Sequence, residues 1–186
     1  MYRYAANHIP SYKIISTYPN DPEYNPNTNG VTNFSYAFFG MSRCKDTIGS
    51  IMNRFDWNSC TDMSNAFSTD ISLAGMNFTG SIPKIPNSVI NMSHAFFGCH
   101  NLTGSIPNIP NSVINMSYAF SNCSNLSSSN VYIHSNNVSN AINCFCNMRN
   151  TMNIYVHANT TTYNSFYEAM GNSTYNDKWR CYLKTF

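Results

Sequence analysis

Along most of the chain the apolar residues follow neither a helical nor a strand period for long. They return instead in blocks. Two consecutive stretches, GSIPKIPNSVINMSHAFFGCHNL from Gly80 and GSIPNIPNSVINMSYAFSNCSNL from Gly104, are nearly the same sentence. Aligned on the Phe of the shared "AF", further copies end at Phe38, Phe67, Phe96, Phe120 and Phe145, with a degenerate sixth at Phe166. The spacings are 29, 29, 24, 25 and 21 residues. A period in this range predicts a repeat solenoid of the leucine-rich-repeat kind, in which one unit cannot bury its apolar side alone and stacks on the next.

Each column of the alignment then has a physical role. Val31, Val89, Val113 and Val138 stand seven residues before the Phe, and Phe34, Met63, Met92, Met116 and Ala141 four before. Met41, Cys99, Cys123 and Met148 stand three after, and Leu102 and Leu126 six after. The expected core of the repeat is therefore Val89, Met92, Phe96, Cys99 and Leu102, with Val113, Met116, Phe120, Cys123 and Leu126 in the next copy. Asn columns run beside them: Asn33, Asn91, Asn115 and Asn140, then Asn87 and Asn111, and Asn101 and Asn125. They are expected to make the turns, an inward amide offering a donor and an acceptor to buried corner backbone groups.

Secondary structure should be sparse. Residues 130–135, NVYIHS, and 153–158, NIYVHA, alternate and recur 23 residues apart. Val131, Ile133, Ile154 and Val156 should face in, and Tyr132, His134, Tyr155 and His157 out, on short parallel strands. The equivalent SIPKIP and SIPNIP carry Pro, which limits ladder pairing. The MSxAF block reads as a short helical or 3₁₀ turn. These elements divide the chain into an N-terminal cap with a Pro/Asn-rich loop over 1–30, a solenoid of about five or six coils over 31–170, and a capping strand over 171–186, since an open end exposes strand edge.

The repeat is similar to the BspA-like leucine-rich repeats of bacterial surface and phage-encoded proteins, whose pattern runs I-P-x-S-V-x-x-I-x-x-x-A-F-x-x-C-x-x-L. Pro86, Ser88, Val89, Ala95, Phe96, Cys99 and Leu102 match it, as do Pro110, Ser112, Val113, Ala119, Phe120, Cys123 and Leu126. Met92 and Met116 stand where the family has Ile. The resemblance is tight over 80–126, recognisable over 31–166 and absent before residue 31. It implies an extracellular recognition or adhesion role and offers no catalytic residues to carry over.

Composition narrows the chemistry. Charged residues make up only 10% of the chain, and 30 of its 186 residues are Asn. From residue 71 to 167 there is no Asp or Glu, and the only bases are Lys84 and Arg149. A net charge of +2 is no footprint for nucleic acid, and no apolar run is long enough to insert in a membrane. The N-terminus lacks a signal-peptide apolar region, so a surface or virion location implies another export route. Seven cysteines cannot all pair within the chain, and Cys99 and Cys123 recur as packing residues. No zinc-type pair is present, and His134 with His157 is too small a ligand set for a metal.

The repeat core has no pair of carboxylates for glycoside hydrolysis, no phosphate-binding loop and no nucleophile elbow. Catalysis would need Asp46, Asp56 and Asp62 brought together. No cofactor is expected. The outward Tyr132, His134, Tyr155 and His157 are the candidate ligand surface, since rings stack on sugar faces while neighbouring Asn and Ser bond hydroxyls. The plainer account is that the tyrosines stabilise the sheet. The expected function is a non-enzymatic module that binds a host or cell-surface glycan or protein. The alternative is a structural component, a surface fibre or phage part, that associates with its own copies because little charge opposes it.

Overall fold

The computed structural model describes residues 28–40, 46–69, 78–177 and 180–186. The expected cap over 1–30 therefore lies outside the described residues except at 28–30, as do Met41, Arg43, Cys44, Lys45, Asp70, Lys178 and Trp179.

The repeats lie side by side, parallel and in register. Asn33, Asp62, Asn91, Asn115 and Asn140 form one unbroken line of parallel bridges. From that line each repeat enters a run of turns that bonds the next repeat by alternate amides. The N–H groups of Met92, His94, Phe96 and Gly98 donate to the carbonyls of Asn115, Ser117, Ala119 and Ser121 at 2.8–2.9 Å. The intervening amides turn back on their own repeat, Ala95 to Met92 and Phe97 to His94 at 3.1 Å. The same alternation links the repeats ending at Phe38, Phe67 and Phe120 to their successors.

This corrects the expectation for the MSxAF block, which forms consecutive β-turns and no helical turn at these five copies. Its cause is a left-handed residue two before each Phe. Tyr36, Asn65, His94, Tyr118 and Asn143 have φ of 56°, 55°, 56°, 56° and 52°. A positive φ cannot continue a right-handed helix, and it swings every second N–H towards the neighbouring repeat.

Two helices and six strands complete the described chain. Helix α1 (Ile48–Asn53) fills the longer second repeat; the Thr47 hydroxyl accepts from the Ser50 N–H at 3.1 Å, and Ile48, Ile51 and Met52 are buried. Strands β1 (Gly80–Ser81) and β2 (Leu102–Thr103) pair in parallel. Strands β3 (Asn130–Tyr132), β4 (Met152–Val156) and β6 (Cys181–Thr185) form a parallel sheet, with β5 (Tyr175–Asn176) antiparallel on its outer edge. Helix α2 (Thr161–Ala169) is capped by Thr160, whose hydroxyl accepts from the Tyr163 N–H at 3.1 Å. The sixth, degenerate copy thus makes the helix that the other five do not.

A file of stacked Phe rings runs through the interior. Phe38, Phe67, Phe96, Phe120, Phe145 and Phe166 follow one another at centroid distances of 5.0, 5.6, 5.5, 5.7 and 6.2 Å, with planes within 21°. Offset stacking at such distances is the favoured ring geometry. Val89, Met92, Phe96, Cys99, Leu102, Val113, Met116, Phe120, Cys123 and Leu126 are all fully buried. Trp57 flanks the first two rings of this file, stacked on Phe34 at 4.1 Å and donating Nε1–H to the Met52 carbonyl at 2.9 Å.

The inward polar work falls to Ser and Cys, which corrects the inward placement expected of Asn and leaves it the expected turn-making role. Ser88, Ser112 and Ser135 Oγ donate to the carbonyls of Cys60, Val89 and Val113 at 2.7, 2.6 and 2.7 Å. The thiols of Cys99 and Cys123 donate to Phe67 and Phe96 carbonyls at 3.0 Å. The Asn side chains stay partly exposed and build turns. Asn33, Asn91 and Asn115 Oδ1 accept from the Ser35, Ser93 and Ser117 N–H at 2.8–3.1 Å, and Asp62 does the same for Ser64 at 2.8 Å. An Asx-turn needs only the short side chain beside its own backbone, so it leaves the core to apolar groups.

Candidate functional site

The C-terminal sheet presents a grid of side chains built from strand alternation and parallel register. Val131, Ile133, Ile154, Val156 and Leu183 point into the core. The alternate residues point out. Register sets Asn130, Asn153 and Tyr182 in one row and Tyr132, Tyr155 and Lys184 in the next. Continuing it one pair further puts His134, His157 and Phe186 in a third.

Within the grid the rings meet closely. Tyr132 stacks on Tyr155 with centroids 4.9 Å apart and planes 15° from parallel. Phe186 lies edge-on to His157 at 4.2 Å and to His134 at 6.0 Å, and 6.3 Å from Tyr132. Asn153 donates its Nδ2–H to Asn130 Oδ1 at 3.0 Å. Lys184 Nζ stands 5.5 Å from the centre of the Tyr182 ring, which stacks with Tyr175 at 4.6 Å. All four expected site residues, Tyr132, His134, Tyr155 and His157, therefore share one surface. Phe186, which touches three of them, was not foreseen. Its only signal is its parity with His134 and His157, and this depends on the register of a strand 29 residues away from β4's start.

Beside the grid the surface dips into a cleft of about 700 Å³. Its lining includes Lys84, Asn87, Pro107, Asn108, Asn111 and His134. The Pro residues keep this stretch from pairing as a continuous strand, so the sheet thins here to the single bridge Ile109–Ile133. His134 belongs to both the cleft and the grid. Asn87 and Asn111, expected as inward turn residues, stand exposed.

The acids lie elsewhere. Asp46 pairs with Arg54 at 3.3 Å, Asp56 Oδ1 accepts from the Asn58 N–H at 2.9 Å, and Asp62 occupies the Asx-turn line. Among the described residues no group of three His, Cys, Asp or Glu side chains is placed to hold a metal ion. The six described cysteines are buried and form no disulfide among the described residues. Burial pushes Cys60 and Cys181 up to about 12, and Cys99, Cys123 and Cys144 well above the ordinary thiol value, so these five stay protonated near neutral pH.

A second outward aromatic group escaped the sequence reading. His94 stacks on Tyr118 at 4.7 Å, with Phe97 edge-on to Tyr118 at 6.3 Å, and Asn143 Nδ2 donates to the Tyr118 hydroxyl at 2.9 Å. Desolvation between these rings lowers the His94 pKa. Comparison with protein-family models, curated proteins and solved structures finds no match to this chain. No helix among the described residues is long and apolar enough to cross a membrane.

Proposed function

We propose that the chain is a leucine-rich-repeat solenoid of the BspA-like kind, displayed outside a cell or on a virion, and that it acts without catalysis to bind a cell-surface glycan. One observation carries the reading: an outward, ring-lined grid opens directly into a cleft edged by exposed amides. Tyr132 and Tyr155, stacked on each other, turn apolar ring edges outward, and the amides of Asn108, Asn111, Asn130 and Asn153 supply donors and acceptors for a hydroxyl-rich ligand.

Binding of the labelled chain to intact bacteria, competed by soluble wall polysaccharides and proteins, tests it. Saturable binding that a polysaccharide displaces, and that the Tyr132→Ala/Tyr155→Ala variant lacks, is the expected result. Equal binding by wild type and variant rejects the site.

A second reading rests on a different observation. Ile90 and Ile114 occupy neighbouring rungs and are each 43% exposed, and Ile142 is 52% exposed. Exposed aliphatic side chains, two of them on adjacent rungs, on a surface with little charge favour association between copies. Sedimentation across a hundredfold concentration range separates the readings: a monomer throughout leaves recognition, and concentration-dependent assemblies favour a structural part.

A further inference from the structure

We infer that the ligand of this face is an acidic polysaccharide lying across the strands, an inference that rests on the glycan-binding reading above. The sheet register places four side chains in one line, Asn108, Tyr132, Tyr155 and Lys184, and the repeat alignment adds Lys84, which lines the cleft with Asn108. Ile109 bridges Ile133 and its N–H donates to the Tyr132 carbonyl at 3.2 Å, which sets Asn108 beside Tyr132. Tyr155 is the direct partner of both Tyr132 and Lys184. Lys84 holds in its repeat the place of Asn108 in the next, and both line the same cleft.

The line thus reads amide, ring, ring, cation. Three rungs, about 14 Å at the usual interstrand spacing, separate Asn108 from Lys184, and Lys84 shares the cleft with Asn108. Both lysines are exposed. The charge has one sign along this line. Lys84 is one of only two bases in a 97-residue span from 71 to 167 that has no acid. Asp177, which accepts the Tyr175 hydroxyl hydrogen bond, sits on the antiparallel edge beyond Tyr182, off the column. Asp46, Asp56 and Asp62 are held in the second repeat by the contacts already given.

A neutral glycan would use the rings and the amides and leave both lysines idle. A polymer carrying carboxylate, sulfate or phosphate groups engages the lysines while its sugars lie along the outward edges of Tyr132 and Tyr155, which stack face to face. Complementarity of this kind sets partner choice and on-rate more than total affinity.

The test uses one polymer backbone in three forms, dextran, carboxymethyl-dextran and dextran sulfate, with binding to the full chain read by surface plasmon resonance at 50 and 200 mM salt. The two acidic forms are expected to bind and neutral dextran to bind at least tenfold more weakly. Lys84→Gln and Lys184→Gln should each weaken acidic binding by about 2–5-fold, and together by more. Arg149→Gln, which removes the same charge off the column, should leave it unchanged.

Equal binding of neutral and acidic forms, or no binding of any form, overturns the inference. So does acidic binding that falls equally with Arg149→Gln, which marks diffuse attraction. If neutral wall polysaccharide still displaces the chain from bacteria, the glycan-binding reading survives that failure. If nothing displaces it and the paired Tyr variant binds as wild type, both fall. A stronger response to sulfate than to carboxylate, or the reverse, assigns the acid group.

Discussion

The turn face and the C-terminal sheet are built from the same repeat, yet their variation runs in opposite directions. On the turn face the buried rung is Phe at six successive copies, and the backbone alternates between neighbour and self in the same way from 34 to 122. On the sheet the buried rungs stay aliphatic, while the outward line holds Asn108, then Tyr at both Tyr132 and Tyr155, then Lys184. Repetition is conserved where one copy must pack on the next. It is released where a side chain meets solvent and whatever solvent carries.

Substitutions can break that contrast, and their expected effects descend in order. Phe96→Ala removes the ring between two stacked neighbours and should cost about 3–5 kcal/mol in chemical denaturation. Gly98→Ala is next. Gly98 has φ of 76°, and a Cβ there would fall 2.7 Å from Thr69 Oγ1 and 2.9 Å from Thr69 O. A loss of ~2–3 kcal/mol is expected, whereas Asn122 occupies the equivalent place with φ of 64°. Ser112→Ala strands the Val89 carbonyl that its hydroxyl now meets, at about 1–2 kcal/mol by the same measurement. Tyr132→Ala should cost under ~1 kcal/mol of stability while abolishing glycan binding. A large loss of stability with binding intact would reverse the roles assigned to the two faces.

The thiols sharpen the comparison through pH. Burial raises Cys60 and Cys181 from 9.0 to about 12 in the folded chain. Unfolded, the same thiols ionise near their ordinary value, so the protonated, folded form loses its advantage as pH rises from about 9 to about 12. Denaturation midpoints should hold below pH 9 and fall through that window. Iodoacetamide at pH 8 should modify Cys60, Cys99, Cys123, Cys144 and Cys181 only after denaturant is added, as read by mass spectrometry.

The Phe columns could be read directly from the sequence because packing demands the same residue at the same distance from each corner. The outward parity of Tyr132, His134, Tyr155 and His157 was legible for a similar reason, since strand alternation is local. The turn chemistry was not. His94 and Tyr118 are poor advertisements for a left-handed backbone, and they hold it because the inter-repeat hydrogen bonds on either side fix the amides. Asn misled for a related reason: it offers the groups a buried corner needs, but Ser reaches the carbonyl with less bulk. Phe186 was hidden because its neighbours are set by pairing across the sheet, which no local pattern reports.

The line of parallel bridges has a consequence for how such a molecule changes length. Each unit is fastened to the one before and the one after, and neither Tyr132 nor Tyr155 is fastened to Lys84. Duplicating the 24-residue unit between Phe96 and Phe120 would leave the paired tyrosines untouched and carry Lys84 one rung, about 4.8 Å, further off. Copy number then works as a ruler. It resets the interval between two charges without redesigning either end, and a single slip in replication would be enough to try a new ligand spacing.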